Sequence, residues 1–475
     1  MRMNTNMTMA KWEVIWKTMR DVVAGRDAVI EHDIVVCGGG FGSRDAIARP
    51  HLYAYVNPLG GQLATDYTSY LMRGNFFGAT DRTINAFAGL IFAKEPEIET
   101  SGDFEDYLGD VDLQGTSARD FAQKLVYEEL TVGRVGILVD YTTDNDGGRS
   151  YLSMFAAESI KCYRERFVKG AGKVLVFLEL MEKYQDNDGK DCEQKRELSI
   201  DSDGYYLQRV LRIDNKTGVY IEVERFEPKI NGKRMSRIPF YFVGGCEIRK
   251  PLLLDLAHTN LAHWRNDIEL AHGLHFAAIP TFCITGHTQN DSDGKITIGG
   301  ESAIVLSNPN AKAGFAEFSG AGLGSLRDRG DDLMAQMAAL GSNVLSSERQ
   351  ANETLGGAEL RTAGERGALT AIARDVGIAL SRALTAMVSW ALGGMDVTAE
   401  IELNTDFGAH RMDSQMLTAL INGVNSGIIP MQVFVDNMRR GGIVGEGLSN
   451  DDYMAVIENE PPSTKPSNAT LDNND

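Results

Sequence analysis

Hydrophobic and polar positions recur with two different periods along this chain, and the change of period divides it into regions. Apolar residues follow helical spacing over 11–29, 80–92 and 117–130, which predicts three amphipathic helices. Between 151 and 243, short β-rich runs are separated by turn dipeptides such as Asn231-Gly232, a pattern typical of antiparallel hairpins. The predicted strands of this half are 135–139, 174–180, 205–213, 219–226 and 238–243. The first half is therefore predicted to be mixed α/β.

The second half is mainly helical, with one small β interruption. A helix over 251–276 begins at a proline, which suits a helix start, and a second helix follows over 324–345. About forty residues with short β-type runs separate them. After a polar loop comes the longest predicted helix, 358–392, which would be about 50 Å long at 1.5 Å per residue. A strand over 397–403 and helical sequence over 411–438 complete the predicted elements.

Composition is that of a folded chain of two or three domains, with 43% hydrophobic and 24% charged residues in 475. The net charge is −19, which disfavours a tight grip on duplex DNA because neutralising phosphates needs clustered Lys and Arg. Five scattered cysteines without CxxC spacing argue against a disulfide framework or a structural zinc site. No signal peptide is expected, and no apolar run approaches the roughly 18 residues of a membrane span. We therefore expect a cytosolic protein, with no membrane association.

Two patterns bear on enzyme chemistry. The stretch 38–42 is Gly-rich, but no Lys-Ser/Thr follows as a triphosphate-binding loop requires, so we interpret it as a flexible turn. His258, His263, His272 and His275 crowd one predicted helix. The first two are five residues apart and face different ways, and no carboxylate has the spacing of a zinc hydrolase. We interpret these histidines as packing residues and expect no catalytic residue, metal or cofactor.

The order of these parts resembles that of the tailed-bacteriophage portal (head–tail connector) family. Six segments carry the resemblance: 82–96 (RTINAFAGLIFAKEP), 132–140 (VGRVGILVD), 251–264 (PLLLDLAHTNLAHW), 279–286 (IPTFCITG), 335–345 (AQMAALGSNVL) and 359–363 (ELRTA). The implied fold class is α+β, with a mixed α/β wing, a two-helix stem, a small β-containing clip, a long tunnel helix and a helical crown. Within 151–243 no residue match is claimed.

The resemblance implies a division of the whole chain. Its parts are a wing with N-terminal helices and a β-rich insertion (1–250), a first stem helix (251–278), a clip (279–318), a second stem helix (319–345), a tunnel loop (346–357), a long tunnel helix with a return strand to the wing (358–410), a helical crown (411–460) and a disordered acidic tail (461–475).

The function implied by the resemblance is structural. Portal subunits form a homo-oligomeric ring, usually a dodecamer, at one capsid vertex of the virion, after assembly in the bacterial host cytoplasm. Double-stranded DNA passes through the ring non-specifically during packaging and ejection. The implied partners are the terminase motor, the major capsid protein and head–tail adaptor or tail proteins. Alternatives are another head–tail structural ring protein, or a metal- or nucleotide-dependent enzyme.

Two loops hold the candidate contact residues. In the tunnel loop, Glu348, Arg349, Gln350, Asn352 and Glu353 combine transient phosphate contacts with acidic groups that prevent firm binding; the alternative is a solvated loop with no DNA role. In the clip, Asp291, Asp293 and Lys295 are candidates for motor or adaptor contact, or are merely exposed.

Small residues on two predicted helices suggest close packing between subunits. Ala335, Ala338 and Ala339 lie on the second stem helix, and the helix over 358–392 is also rich in alanine. Alanine permits close approach of a neighbouring surface, as the heterologous faces of a ring require. The alternative is that these alanines are ordinary helix-favouring core positions.

Overall fold

A computed structural model gives the architecture of this chain. It describes residues 5–38, 54–60, 63–102, 104–142, 148–170, 172–186, 188–214, 216–278, 281–286, 310, 312–316, 320–342, 355–407, 414–426 and 428–440. The fold is mixed α+β with several small sheets. The chain divides into two compact units, Met1–Thr405 and Asp406–Asp475.

The first unit opens with helices. Their bounds are α1 Thr5–Ala24, α2 Arg26–Asp33, α3 Ala64–Leu71, α4 Ala79–Ile91, α5 Glu105–Gly109 and α6 Ala118–Val132, with a π-helical turn at Ile34–Gly38 after α2. The prediction of one helix over 11–29 is wrong, because Gly25 between α1 and α2 has φ of 95°, which a continuous α-helix does not allow. Of the Gly-rich stretch, only Gly38 is described, and 39–42 lie outside the described residues.

The helices predicted over 80–92 and 117–130 correspond to α4 and α6 and are confirmed. Local hydrogen bonding and backbone conformation explain where α6 begins and ends. Ser117 precedes the first turn, and its Oγ accepts a hydrogen bond from the Asp120 amide at 3.1 Å. Gly133 follows the last turn with φ of 70°, the left-handed conformation that commonly ends a helix.

The first unit contains a three-stranded antiparallel sheet in the order β11-β2-β3, which we call the central sheet. Its strands are β2 Val135–Tyr141, β3 Ser150–Ala156 and β11 Phe240–Phe242. Gly136 faces the ring of Phe240 so closely that a Cβ there would lie 2.1 Å from Phe240 Cζ. The buried strand predicted at 135–139 is therefore confirmed, and its glycine makes room for the core.

Next along the chain is a five-stranded antiparallel meander. Its strands, hydrogen-bonded in chain order, are β4 Ile160–Val168, β5 Gly172–Gln185, β6 Asp191–Ile200, β7 Tyr206–Ile213 and β8 Tyr220–Phe226. The short ribbon β9 Lys229–Ile230 and β10 Lys233–Arg234 follows at the predicted turn. One core is shared with the central sheet and comprises Leu138, Phe155, Ile160, Leu178, Leu180, Leu198, Tyr206, Ile238 and Phe240.

The strands predicted at 174–180, 205–213 and 219–226 correspond to β5, β7 and β8 and are confirmed, although β7 and β8 each begin one residue later than predicted. Strand β6 was missed because it is highly charged. The side chain of Arg196 on β6 is only 18% exposed, and it forms ion pairs with Asp140 at 2.5 Å and with Glu182 at 2.8 Å. A hydrophobic pattern does not reveal a strand whose inward-facing position carries a paired charge.

The longest helix, α9 Leu355–Ala391, has 37 residues and confirms the prediction over 358–392. At 1.5 Å per residue it is about 55 Å long. After it, β14 Ala399–Glu402 pairs antiparallel with β1 Glu97–Thr100. The strand predicted at 397–403 is therefore confirmed, and it returns the chain to the N-terminal region.

The second unit contains α10 Ser414–Asn425 and α11 Met431–Arg440, which fall in the region predicted as helical. Residues 441–475, including the predicted acidic tail, lie outside the described residues. In the part of the chain that the structure describes, no helix combines the length and apolar character needed to cross a membrane.

Candidate assembly site on an antiparallel helical pair

Two helices of the first unit form an antiparallel pair that is joined by a two-stranded ribbon. The helices are α7 Leu254–Ala278 and α8 Leu323–Ser342, and together we call them the helical pair. The ribbon consists of β12 Thr281–Thr285 and β13 Lys312–Ala316, which pair antiparallel. The helices predicted over 251–276 and 324–345 correspond to α7 and α8 and are confirmed. A β unit between them is confirmed as well.

Glycine lets the two helices approach closely. A Cβ on Gly273 of α7 would lie 2.6 Å from Leu323 Cδ2 of α8, and one on Gly330 would lie 3.2 Å from Asn266 Nδ2. The Asn266 side chain also donates a hydrogen bond across the pair to the Leu326 carbonyl at 2.8 Å. Larger side chains at these glycines would push the axes apart, so the register of the pair is fixed by shape.

The inner face of α7 attaches the pair to the N-terminal helices. Asn260 is fully buried; its Oδ1 accepts hydrogen bonds from the amide and the hydroxyl of Thr80, each at 3.3 Å. Its Nδ2 donates to the Phe77 carbonyl at 2.7 Å. Trp264 and Ile268 lie against Gly74, where a Cβ would be 2.3 Å from Ile268 Cγ1. The hydrogen bonds of Asn260, which we call the anchor, and the apolar contact with Gly74 therefore hold the inner face of α7 against the N-terminal helices.

Replacing Asn260 by alanine is expected to lower the free energy of unfolding by about 2 kcal/mol, because the buried groups of Thr80 and Phe77 lose their partner. Urea unfolding followed by circular dichroism measures the change. The exposed Asn85→Ala change on α4 is the matched control and should alter stability by less than about 0.5 kcal/mol. Equal effects of the two substitutions would contradict the anchor.

Two of the four histidines of α7, His263 and His272, pack against the N-terminal helices, whereas His258 and His275 are exposed. His272 Nδ1 accepts a hydrogen bond from Arg73 at 3.1 Å, and its ring meets Tyr70 edge-on at 4.9 Å. Burial, followed by the charge of Arg73, lowers the pKa of His272 below its usual value. Burial also lowers the pKa of His263, whose ring lies 6.4 Å from that of Phe77. Within the described ranges, no group of three His, Cys, Asp or Glu side chains is placed to hold a metal ion.

A cleft opens where the pair meets the ribbon. Its volume is about 530 Å³, and its walls include Tyr70, Glu269, His272, Phe276 and Leu323. Phe276 is 54% exposed, so this end of α7 presents apolar surface to solvent.

Helix α8 buries only one side in the single chain. Leu333 and Met337 are buried, whereas Ala335 and Ala338 are exposed and Ala339 is partly exposed. The two exposed alanines therefore do not serve the core of the chain. Along α9 the alanines differ: Ala373, Ala379 and Ala383 are buried within their own chain, whereas Ala371 is exposed. The three buried alanines serve the core of the chain.

The residues that the sequence singled out as contact sites lie outside the described residues. These are Asp291, Asp293 and Lys295 between β12 and β13, and Glu348, Arg349, Gln350, Asn352 and Glu353 between α8 and α9. Their roles stay predictions.

Sequence reasoning missed the charges on the helical pair. Arg265 and Glu269 are exposed on α7, and Arg327 and Asp331 are exposed on α8. Each set has opposite charges four residues apart, a spacing visible in the sequence. What the spacing does not show is how the two helices are placed relative to each other.

One comparison with known proteins falls on the same region. A family model described as a domain of unknown function (DUF4055) matches residues 251–391, which run from α7 to the end of α9 and make up under a third of the chain. No curated protein matches this chain.

Three solved structures similar to this chain come from gene transfer agent (GTA) particles. The neck of an empty GTA particle, computed with C6 symmetry, is 14% identical, with 85% of this chain and 95% of that chain covered and a TM-score of 0.35. The neck of a native GTA particle, computed with C12 symmetry, is 13% identical, with 79% and 92% covered and a TM-score of 0.32. The virion of a native GTA particle is 14% identical, with 90% and 98% covered and a TM-score of 0.31. All three TM-scores lie below 0.5, so these overlaps carry no argument about fold or function.

Proposed function

We propose that this chain is the subunit of a portal ring, the head–tail connector at one capsid vertex of a tailed phage or phage-like particle. In this proposal the ring is the conduit through which DNA enters and leaves the capsid. The chain is a structural component of the virion and not an enzyme, so the energy for packaging comes from a separate motor.

One observation carries the proposal. The helical pair, with its ribbon at one end, is followed by a helix of 37 residues and then by a strand that returns to the N-terminal body. That is the order of stem, clip, stem, tunnel helix and return strand to which the sequence segments point. Among the described residues, the pair is attached through one face of α7 and one of α8, and other sides of both helices are exposed for contact with neighbouring copies.

The charge of the chain suits a conduit. A net charge of −19 makes broad neutralisation of phosphates unfavourable, so DNA of any sequence can pass without being held. In the proposed tunnel loop, Arg349 supplies transient phosphate contacts, and the neighbouring Glu348 and Glu353 keep those contacts weak. The clip, with Asp291, Asp293 and Lys295, offers a docking surface for the terminase and afterwards for adaptor or tail proteins. The major capsid protein would surround the ring.

The test is the mass and symmetry of the purified protein, measured by light scattering and negative-stain imaging. Rings with a central hole and a mass near twelve times 52.0 kDa are expected. Rings of eleven or thirteen copies would also support the proposal, since the same interface closes with a small change of angle. A monomer or dimer under all conditions, together with failure to join procapsids at a single vertex, would overturn it.

A further inference from the structure

Two rows of side chains run along exposed sides of the helical pair, and the α7 row borders clefts against the N-terminal helices. The α7 row is His258, Ala262, Arg265 and Glu269; the α8 row is Arg327, Asp331, Met334 and Ala338. All are exposed except Ala262, which is partly exposed. Steps of three and four residues place the members of each row on one side of their helix.

The two rows lie on opposite sides of the pair. Asn266 and Gly273 mark the direction from α7 to α8, and Gly330 and Leu323 mark the reverse direction. At about 100° per residue, each row is turned by roughly 60–70° from the contact direction of its own helix. Because the helices are antiparallel, these turns bring the two rows out on opposite faces of the plane through both axes. One face thus carries the α7 row and the other carries the α8 row.

The rows also match in height along the pair. Gly273 is level with Leu323, and Asn266 is level with Gly330. Counting from these two contacts in opposite directions along the antiparallel helices places Glu269 level with Arg327 and Arg265 level with Asp331. In both cases an acidic side chain and a basic one stand at the same height on opposite faces.

None of these four charges is neutralised by an ion pair within its own chain, as far as the described residues extend. A ring of identical copies joins one face of each subunit to the opposite face of the next. Rotation about the ring axis relates neighbouring copies and moves no atom along that axis. Where the helical pair runs parallel to the axis, a group on one face of a copy therefore meets the group at the same height on the opposite face of its neighbour.

We propose that the α7 row of one copy packs against the α8 row of the next copy in the ring. Glu269 then pairs with Arg327 of the partner subunit, and Arg265 pairs with Asp331 of the partner subunit. Ala262 leaves room at the level of Met334 of the partner subunit. This interface rests on the proposed function, because it requires a ring, but it adds the residues that set the contact between copies.

Charge reversal tests the interface. Glu269→Arg and Arg327→Glu each place like charges together at every contact, and each is expected to raise the protein concentration needed for ring formation about tenfold. Arg329→Glu is the matched control: it makes the same charge change on α8 but outside the row, and it should assemble like the wild type. Melting temperatures of the exposed-site variants, compared with wild type, separate misfolding from lost assembly.

Mixing the two single variants gives the sharper readout. In an even-numbered ring of alternating variants, every 269–327 contact again joins opposite charges, so the mixture should form rings at the wild-type concentration. The double variant Glu269→Arg/Arg327→Glu should do so alone. Wild-type rings with no loss in either single variant, or losses that mixing does not restore, would overturn this interface and leave the portal proposal standing. A wild type that forms no ring under any condition would overturn both.

Discussion

Replacing Trp264 by alanine is expected to lower the free energy of unfolding by about 3–5 kcal/mol. The Trp264 side chain is fully buried on the inner face of α7, and its ring lies 6.3 Å from that of Phe76 in an edge-on arrangement. The loss combines the apolar surface returned to water with the cavity left beside Gly74, which the surrounding helices fill only in part. Urea unfolding with linear extrapolation measures it.

Leu274→Ala on the same helix is the control for this prediction. Leu274 is 43% exposed, so its truncation should change the free energy of unfolding by less than about 0.5 kcal/mol. Both substitutions introduce alanine into the same helix. A loss below about 1 kcal/mol for Trp264→Ala would mean that α7 is not docked on the N-terminal helices as described.

Replacing Glu129 by glutamine is expected to stabilise the protein at pH 8 and to leave its stability unchanged at pH 4.5. Burial raises the pKa of Glu129 from 4.5 to about 7, an effect that the charge of Arg249 partly opposes and that Asp375 and Glu128 reinforce. Because the folded-state pKa is raised, stability is fully present below pH 4.5 and is lost as the pH rises towards 7. The loss amounts to about 3 kcal/mol, and glutamine avoids it because it stays neutral.

Thermal melting of the wild type and the variant at a series of pH values measures this difference. Glu128→Gln is the matched control: Glu128 Oε2 accepts a hydrogen bond from Arg20 at 2.8 Å, so its loss should destabilise the protein at pH 8. A difference between Glu129→Gln and wild type that does not vary with pH would refute the burial of a titrating carboxyl at this position.

Regular helices were predictable because their sequence signals agree with one another. The helix α6 combines an apolar stripe with a capping serine and a terminal glycine, and α9 keeps its stripe over many turns. The break at Gly25 was missed because the apolar spacing continues across it. Strand β6 was missed for a different reason: Arg196 pairs with Glu182 of the neighbouring strand, and it reaches Asp140 only when the meander and the central sheet are packed together.

The candidate site was predictable only as a region. Charges in loops drew attention first, because loops often carry contacts in structural proteins. The charges that the helical pair displays at equal heights require a tertiary register, which the contact of Gly273 with Leu323 sets. No spacing within one helix reveals that register, so sequence alone does not pair Glu269 with Arg327.

The return of β14 to β1 has a consequence for the order of synthesis. Strand β1 leaves the ribosome about 300 residues before its partner, an interval of roughly 15–60 s at bacterial elongation rates. The Leu90 carbonyl is also synthesised long before its partner, the Asn404 side chain, which donates a hydrogen bond to it at 3.0 Å. The N-terminal body therefore closes only after α9 and β14 have been made, so a nascent or truncated chain that ends before β14 lacks the finished body.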